Sequence, residues 1–216
     1  MLVKRIIPMP LKKVQFHETS VPEWNSFKGG DWNAYRQLYN IHFKALNNYG
    51  YKFTRDVSLI EDAVHDLFVN LWAKREQLGN PVSVKNYLYK SLRNLLFRKM
   101  ESQQRFVKID SAEDYPFNFE VSFDTVFMED ESKKELQRKL KDVIKTLSAR
   151  QQEIIYLRFY EGLSYEEAAD IMNLNVASTY KLLYKAIGKL QERVKLVDLI
   201  MVLALMASKK ELLEIN

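Results

Sequence analysis

The chain contains no cysteine. That excludes a disulfide framework, thiolate-ligated zinc and cysteine nucleophiles, and it suits a reducing compartment. Six glycines and five prolines in 216 residues are too few for the many turns of an all-β fold, so helices are expected. Histidine is equally scarce: His17, His42 and His65 lie far apart. Asp62 and His65 have the i, i+3 spacing of a helical di-metal ligand pair, but such sites need that motif twice, with further carboxylates on other helices. No Gly-rich phosphate loop and no nucleophile elbow is present. No metal, cofactor, catalytic residue or small-molecule substrate is therefore expected, and the chain does not read as an enzyme. Long apolar runs are missing too. The most apolar stretch, Leu196 to Ala207, is 12 residues long and contains Asp198, against the roughly 20 that span a bilayer. The N-terminus breaks at Pro8 and Pro10 before any signal-like core. A soluble, cytoplasmic protein without stable membrane insertion is expected.

What is present is charge, and its placement says more than its total. The net charge is only +5. Residues 1–108 hold 18 basic and 9 acidic side chains, a net of +9. Residues 109–132 hold 8 acidic side chains and no Lys or Arg, and residues 133–195 return to +5. Two basic bodies joined by an acidic strip mark a domain boundary, and the strip reads either as a solvated linker or as a segment lying in a positively charged channel of a partner.

The first body reads as helices. Asp31 to Tyr49 carries Tyr35, Leu38, Tyr39, Ile41, Phe43, Leu46 and Tyr49 at helical spacing, and Gly50 closes it. Ser58 to Glu61 has the form of a capping box, opening a helix whose inner stripe is Ile60, Ala63, Val64, Leu67, Phe68, Leu71 and Trp72 and which ends near Gly79-Asn80-Pro81. A third helix runs from about Val84 to Met100. It interleaves cations with aromatics (Lys85, Tyr87, Tyr89, Lys90, Arg93, Phe97, Arg98, Lys99), a pattern in which cations meet phosphates and rings stack on unpaired bases.

The second body is more specific. Glu131 to Leu147 is one helix. Ser148 to Gln151 is a capping box opening a helix that stops at Gly162. Ser164 to Glu167 is another, opening a short helix, Tyr165 to Met172. A turn at Asn173, which tolerates positive φ, leads to a helix from about Val176 that Asn175 can cap. This is helix-turn-helix geometry, with Ala168 and Ala169 small enough for a close crossing. The outward face of the last helix is Ala177, Ser178, Tyr180, Lys181, Tyr184 and Lys185, which suits a major groove and its phosphates.

These phrases resemble a known family. Ile60 to Trp72 is similar to the x-E-D-x-x-Q-E-x-F-x-x-x-W helix of bacterial sigma factors of the extracytoplasmic-function group, in the sigma-70 family. Tyr87 to Asn94 resembles its W-L-Y-x-x-x-R-N helix. Phe159 to Ala169 resembles its lead into the helix-turn-helix. The match runs over about residues 30–193 in order, and the Tyr- and Asn-rich helices are similar to the branch found in Bacteroidetes. His65 and Asp66 stand where Gln-Glu is usual. Tyr180, Lys181 and Leu182 replace a Lys-Ser-Arg run, so no base preference is carried over.

The resemblance implies an all-α fold of two small helical domains joined by a flexible acidic linker. The expected division is an N-terminal arm (1–25), a sigma domain 2-like bundle (26–108), the linker (109–130), a sigma domain 4-like helix-turn-helix (131–195) and an apolar tail (196–216). It implies an alternative sigma factor that directs core RNA polymerase to promoters and melts the −10 element. Asp62, Asp66, Leu67, Phe68 and Trp72 would meet the β′ clamp helices. Lys85, Asn86, Tyr87, Tyr89, Lys90, Arg93, Asn94, Arg98 and Lys99 would bind the −10 element. The outward face of the last helix would read the −35 element, and the linker would run through the polymerase near the RNA path. Expected partners are core polymerase (β′ and β subunits), promoter DNA and an anti-sigma factor. The competing reading is a helix-turn-helix regulator whose first domain senses a ligand or partner.

Overall fold

In the first helical turns the caps decide where each element begins. The computed structural model describes residues 21–103, 115–119, 131–192 and 194–195, and every regular element among them is helical. Asp31 opens α2 (Trp32–Gly50) by accepting from the backbone N–H groups of Asn33 at 2.8 Å and Ala34 at 3.3 Å. The predicted capping box at Ser58 is not the one used. Asp56 caps α3 (Val57–Ala73), accepting from Leu59 N–H at 3.0 Å, and Ser58 falls inside the first turn. Asp is as good a cap as Ser, and Thr54 fixes it by accepting from the Asp56 N–H at 3.1 Å. The chain leaves α3 at Ala73, through a 3₁₀ turn at Arg75–Gln77, rather than continuing to Gly79. α4 (Val84–Gln103) then crosses α2 and α3.

One element was not expected. α1 (Val21–Lys28) crosses the anticipated boundary between arm and first body at residue 25. It buries Trp24 and Phe27 among the rings of Tyr35, Trp72 and Tyr87. The arm before residue 21 and the apolar tail from 196 lie outside the described residues, as does most of the acidic linker.

Gly50 ends α2 for reasons of space rather than φ. A Cβ there would sit 2.7 Å from Ile60 Cγ2, and Ile60 is fully buried. Gly50→Ala is therefore expected to destabilise the fold by about 1–3 kcal/mol through overpacking, read as a lower urea midpoint at unchanged m-value.

The second body follows its local signals closely. α5 (Glu131–Thr146) leads to Ser148, which with Gln151 makes a reciprocal capping box on α6 (Ala149–Ile155). A π-helical turn, Tyr156–Tyr160, extends α6 to Gly162 at φ 70°. Ser164 and Glu167 form the next box, on α7 (Tyr165–Ile171). Asn173 takes φ 53° and Asn175 caps α8 (Val176–Gln191). Helices α5, α6 and α7 all pack on α8.

Two features join the bodies. α4 lies against α7, and residues 115–119 of the acidic strip are docked rather than solvated. Tyr115, Phe117 and Phe119 are buried. Asn118 N–H donates to the Lys52 carbonyl at 2.7 Å, and Phe119 N–H donates to Gln152 Oε1 at 3.1 Å. One edge of the segment thus holds the first body and the other holds the second.

Candidate nucleic-acid interface

The helix-turn-helix presents the expected outer face. Ser164 Oγ accepts from Glu167 N–H at 3.1 Å, and Ser164 N–H donates to Glu167 Oε2 at 2.6 Å. Ala168 and Ala169 are buried in the body. Asn175 Oδ1 accepts from Ser178 N–H at 2.7 Å, and Thr179, buried, donates its hydroxyl to the Asn175 carbonyl at 3.1 Å. On α8, Ala177, Tyr180, Lys181, Tyr184 and Lys185 are exposed and Ser178 is half-buried. Tyr180 and Tyr184 keep 48% and 53% of their surface in solvent, a large apolar area to leave open on a small domain.

A ring stack that the sequence did not reveal braces this face. Tyr180 lies on Tyr165 with centroids 3.7 Å apart, and the Arg158 guanidinium sits 4.2 Å over Tyr165. Burial lowers the Arg158 pKa below its usual value and raises that of the Tyr165 hydroxyl. The π-helical turn swings Arg158 to this position, and a plain 3.6-residue count does not foresee it.

The α4 set is placed differently. Lys85, Tyr89 and Arg93 share one helix face, with Asn86, Lys90 and Asn94 beside them. Most of that face is turned to the second body. Arg93 Nε donates to Glu153 Oε1 at 2.8 Å and Nη2 donates to Oε2 at 3.3 Å. Lys85 Nζ pairs with Glu161 Oε2 at 3.0 Å and Lys90 Nζ with Asp170 Oδ1 at 2.6 Å. Asn173 Nδ2 reaches Asn94 Oδ1 at 3.4 Å. Tyr87 is half-buried, with its ring edge-on to Trp24. Arg98 is exposed and Lys99 pairs with Asp66 at 2.7 Å. Tyr89 is fully buried against Tyr49, so in this conformation it is a core ring and is closed to a base. The loop before α4 carries Val82 on the outside, fully exposed.

Glu153 is the centre of the junction. Its side chain is fully buried, yet besides Arg93 it accepts from the Tyr49 hydroxyl at 2.6 Å and from the Tyr115 hydroxyl. Burial, and then the carboxylate, raise both tyrosine pKa values, so the hydroxyls remain donors. Burial alone would lower the Arg93 pKa, but the charge and hydrogen bond of Glu153, with Tyr49 and Tyr115 beside it, together hold the guanidinium above its ordinary value. No sequence signal marked this residue.

The α3 set divides. Asp62 is exposed, Asp66 is half-exposed and Trp72 is half-buried beside the exposed Trp32. Leu67 and Phe68 are not at the surface; they fill the core of the first body, as their place on the inner stripe requires. Asp62 and His65 gather no further ligands: among the described residues no metal-binding cluster of His, Cys, Asp and Glu occurs. No helix among them is long and apolar enough to cross a membrane.

The two bodies are recognised separately. The family model described as Sigma-70 region 2 matches residues 38–106, and that described as Sigma-70, region 4 matches residues 137–190. Among solved structures, the sigma factor RpoE in complex with the anti-sigma factor NepR from Bartonella quintana is similar at 25% identity and a TM-score of 0.53, over 74% of this chain and 96% of that one. CnrH, in complex with the cytosolic domain of CnrY, shares the fold at 19% identity and a TM-score of 0.53, over 81% of this chain and 96% of that one. No curated protein matches the sequence significantly. With both sigma regions present in order, the chain belongs to the extracytoplasmic-function group of the sigma-70 family and acts as an alternative sigma factor that directs RNA polymerase to promoters.

Proposed function

We propose that the two basic helices divide the promoter between them. α8 reads the −35 element through Tyr180, Lys181, Tyr184 and Lys185, and α4 recognises the −10 element and holds it open through Lys85, Asn86, Lys90, Arg93 and Asn94. Asp62, Asp66 and the edge of Trp72 on α3 dock the β′ clamp helices, with the β subunit as a further contact. The chain supplies binding energy and strand separation and no covalent chemistry, as is general for sigma factors. An anti-sigma factor is its expected regulator, since RpoE of the solved complex is held by one. The compartment this requires is the cytoplasm.

The observation that supports this reading is the pairing of α4 with acids. Glu153, Glu161 and Asp170 take the cations of α4 one by one, as the phosphates of a promoter strand would. A regulator with a sensor domain has no need of a row of cations on its sensor. Elements centred about 25 base pairs apart are about 85 Å apart along a duplex at ~3.4 Å per step, so the two bodies must separate to reach both. The test is capture of purified core polymerase by the immobilised chain. A sigma factor retains core; a helix-turn-helix regulator binds duplex DNA and leaves core in solution.

A further inference from the structure

Resting on the reading of α8 as the −35 helix, we infer that this helix selects thymine by its 5-methyl group. Tyr180 and Tyr184 form the apolar reading edge. Tyr165, which lies outside the helix, is the positioning residue that holds Tyr180 in place. The ligand is a duplex whose major groove brings thymine methyls against these two rings.

What the face lacks carries the inference. From Val176 to Leu190, α8 has no Arg, Asn, Gln, Asp or Glu. Those are the side chains that fork onto guanine or adenine, or accept from cytosine. The two asparagines just before the helix are engaged. Asn175 Oδ1 accepts from Ser178 N–H at 2.7 Å, and Asn173 Nδ2 reaches Asn94 Oδ1 at 3.4 Å. Ser178 can bond any base edge and so discriminates little. Lys181 and Lys185 can reach a guanine, but an ammonium lacks the planar fork that fixes a paired contact and serves phosphate as a point charge. The methyl of Ala177 and the two tyrosine rings remain. Apolar contact in the major groove singles out one base, thymine.

The placement of the rings fits that task. Tyr180 and Tyr184 stand one turn apart on one face of α8, and both are exposed. A surface side chain that must be ordered on docking gives back part of what the contact gains. Tyr180 is ordered beforehand: its ring lies on that of Tyr165, with centroids 3.7 Å apart and planes within 20°. The Arg158 guanidinium, 4.2 Å over Tyr165, packs the second ring in turn. Tyr165 is the first residue of α7, where the capping box of Ser164 and Glu167 fixes the turn. The brace is thus anchored off the reading helix.

The test starts without a known promoter. The full chain selects from a random duplex pool, and the enriched duplex is remade with uracil for thymine, one position at a time. That change deletes only the methyl group. Thymine should be enriched at two positions, one for each ring, and uracil at either should weaken binding about fourfold, the worth of one buried methyl. Tyr180→Ala should abolish the thymine-over-uracil ratio at one position and leave the other. Tyr180→Phe should keep both, because the ring and not the hydroxyl meets the methyl. Tyr165→Ala should lower the Tyr180 ratio to about twofold, since a loose ring must be ordered on contact, and Tyr165→Phe should restore it. A residue that served folding alone would weaken both duplexes equally and leave the ratio unmoved. Selected duplexes without thymine, no loss on uracil replacement, or a Tyr180→Ala chain that keeps the ratio would overturn the methyl readout. Lys181→Ala with Lys185→Ala separates the two readings. If that variant binds the selected duplex as well as the unaltered chain, α8 is not the reading helix and the inference falls with it. If it loses binding while uracil costs nothing, the methyl readout alone falls.

Discussion

Trp24→Ala is expected to destabilise the first body by about 3–5 kcal/mol, the usual cost of emptying a large aromatic site in a packed core. Trp24 is nearly fully buried and touches Phe27 and Tyr87 ring to ring. Its indole N–H also donates to the Gly79 carbonyl at 3.0 Å, which ties α1 to the loop leading into α4. Chemical denaturation followed by circular dichroism measures the loss. Trp24→Phe separates packing from tethering: it keeps most of the ring volume and gives up the Gly79 bond, for about 1 kcal/mol. If that loop presents α4 to the −10 strand, Trp24→Phe should lower promoter opening by more than its small stability change explains. An unchanged opening rate would confine α1 to a scaffolding role.

The second large effect concerns binding. Replacing both Lys181 and Lys185 by Ala should weaken −35 duplex binding by about a hundredfold near physiological salt, roughly tenfold for each lost charged contact. The slope of log K against log salt should fall by about two, since each phosphate contact contributes about one. Both side chains are exposed on α8, so stability should be unaffected. Titration of a labelled duplex at several salt concentrations measures slope and affinity together. A slope that does not move would take these lysines off the phosphate backbone, whatever happened to affinity.

These two predictions rest on different kinds of information. The helix-turn-helix was legible because its signals are local. Ser148 with Gln151, Ser164 with Glu167, Asn173 at positive φ and Asn175 as a cap each act within one turn, and each is used as written. α1 was hidden by Pro22, which reads as part of a loose arm. Proline in a first helical turn costs nothing, because the N–H it lacks has no partner there. The capping box at Ser58 failed because a second good cap, Asp56, stood two residues earlier, and local reasoning could not rank them.

The junction was the least legible part. Glu153 sits in a helical run with no pattern of its own, and its partners Tyr49, Arg93 and Tyr115 are 104, 60 and 38 residues away. Composition alone made the strip around Tyr115 look solvated. A signal was nonetheless present: Tyr115, Phe117 and Phe119 alternate with period two, which places three rings on one edge of an extended segment. At Leu67 and Phe68 two signals diverge: the family motif places them beside a partner, while their own periodicity places them in the core, where both are buried.

The net charge of +5 looked small because it sums two basic bodies and an acidic strip. The structure adds that cancellation also occurs in space, with acids of the second body lying on cations of the first. The proposed promoter role has one direct product. Run-off transcription with purified core polymerase, on a pool of promoter fragments from the source genome, should yield discrete transcripts only when this chain is added. No stimulated transcript from any fragment would contradict the account.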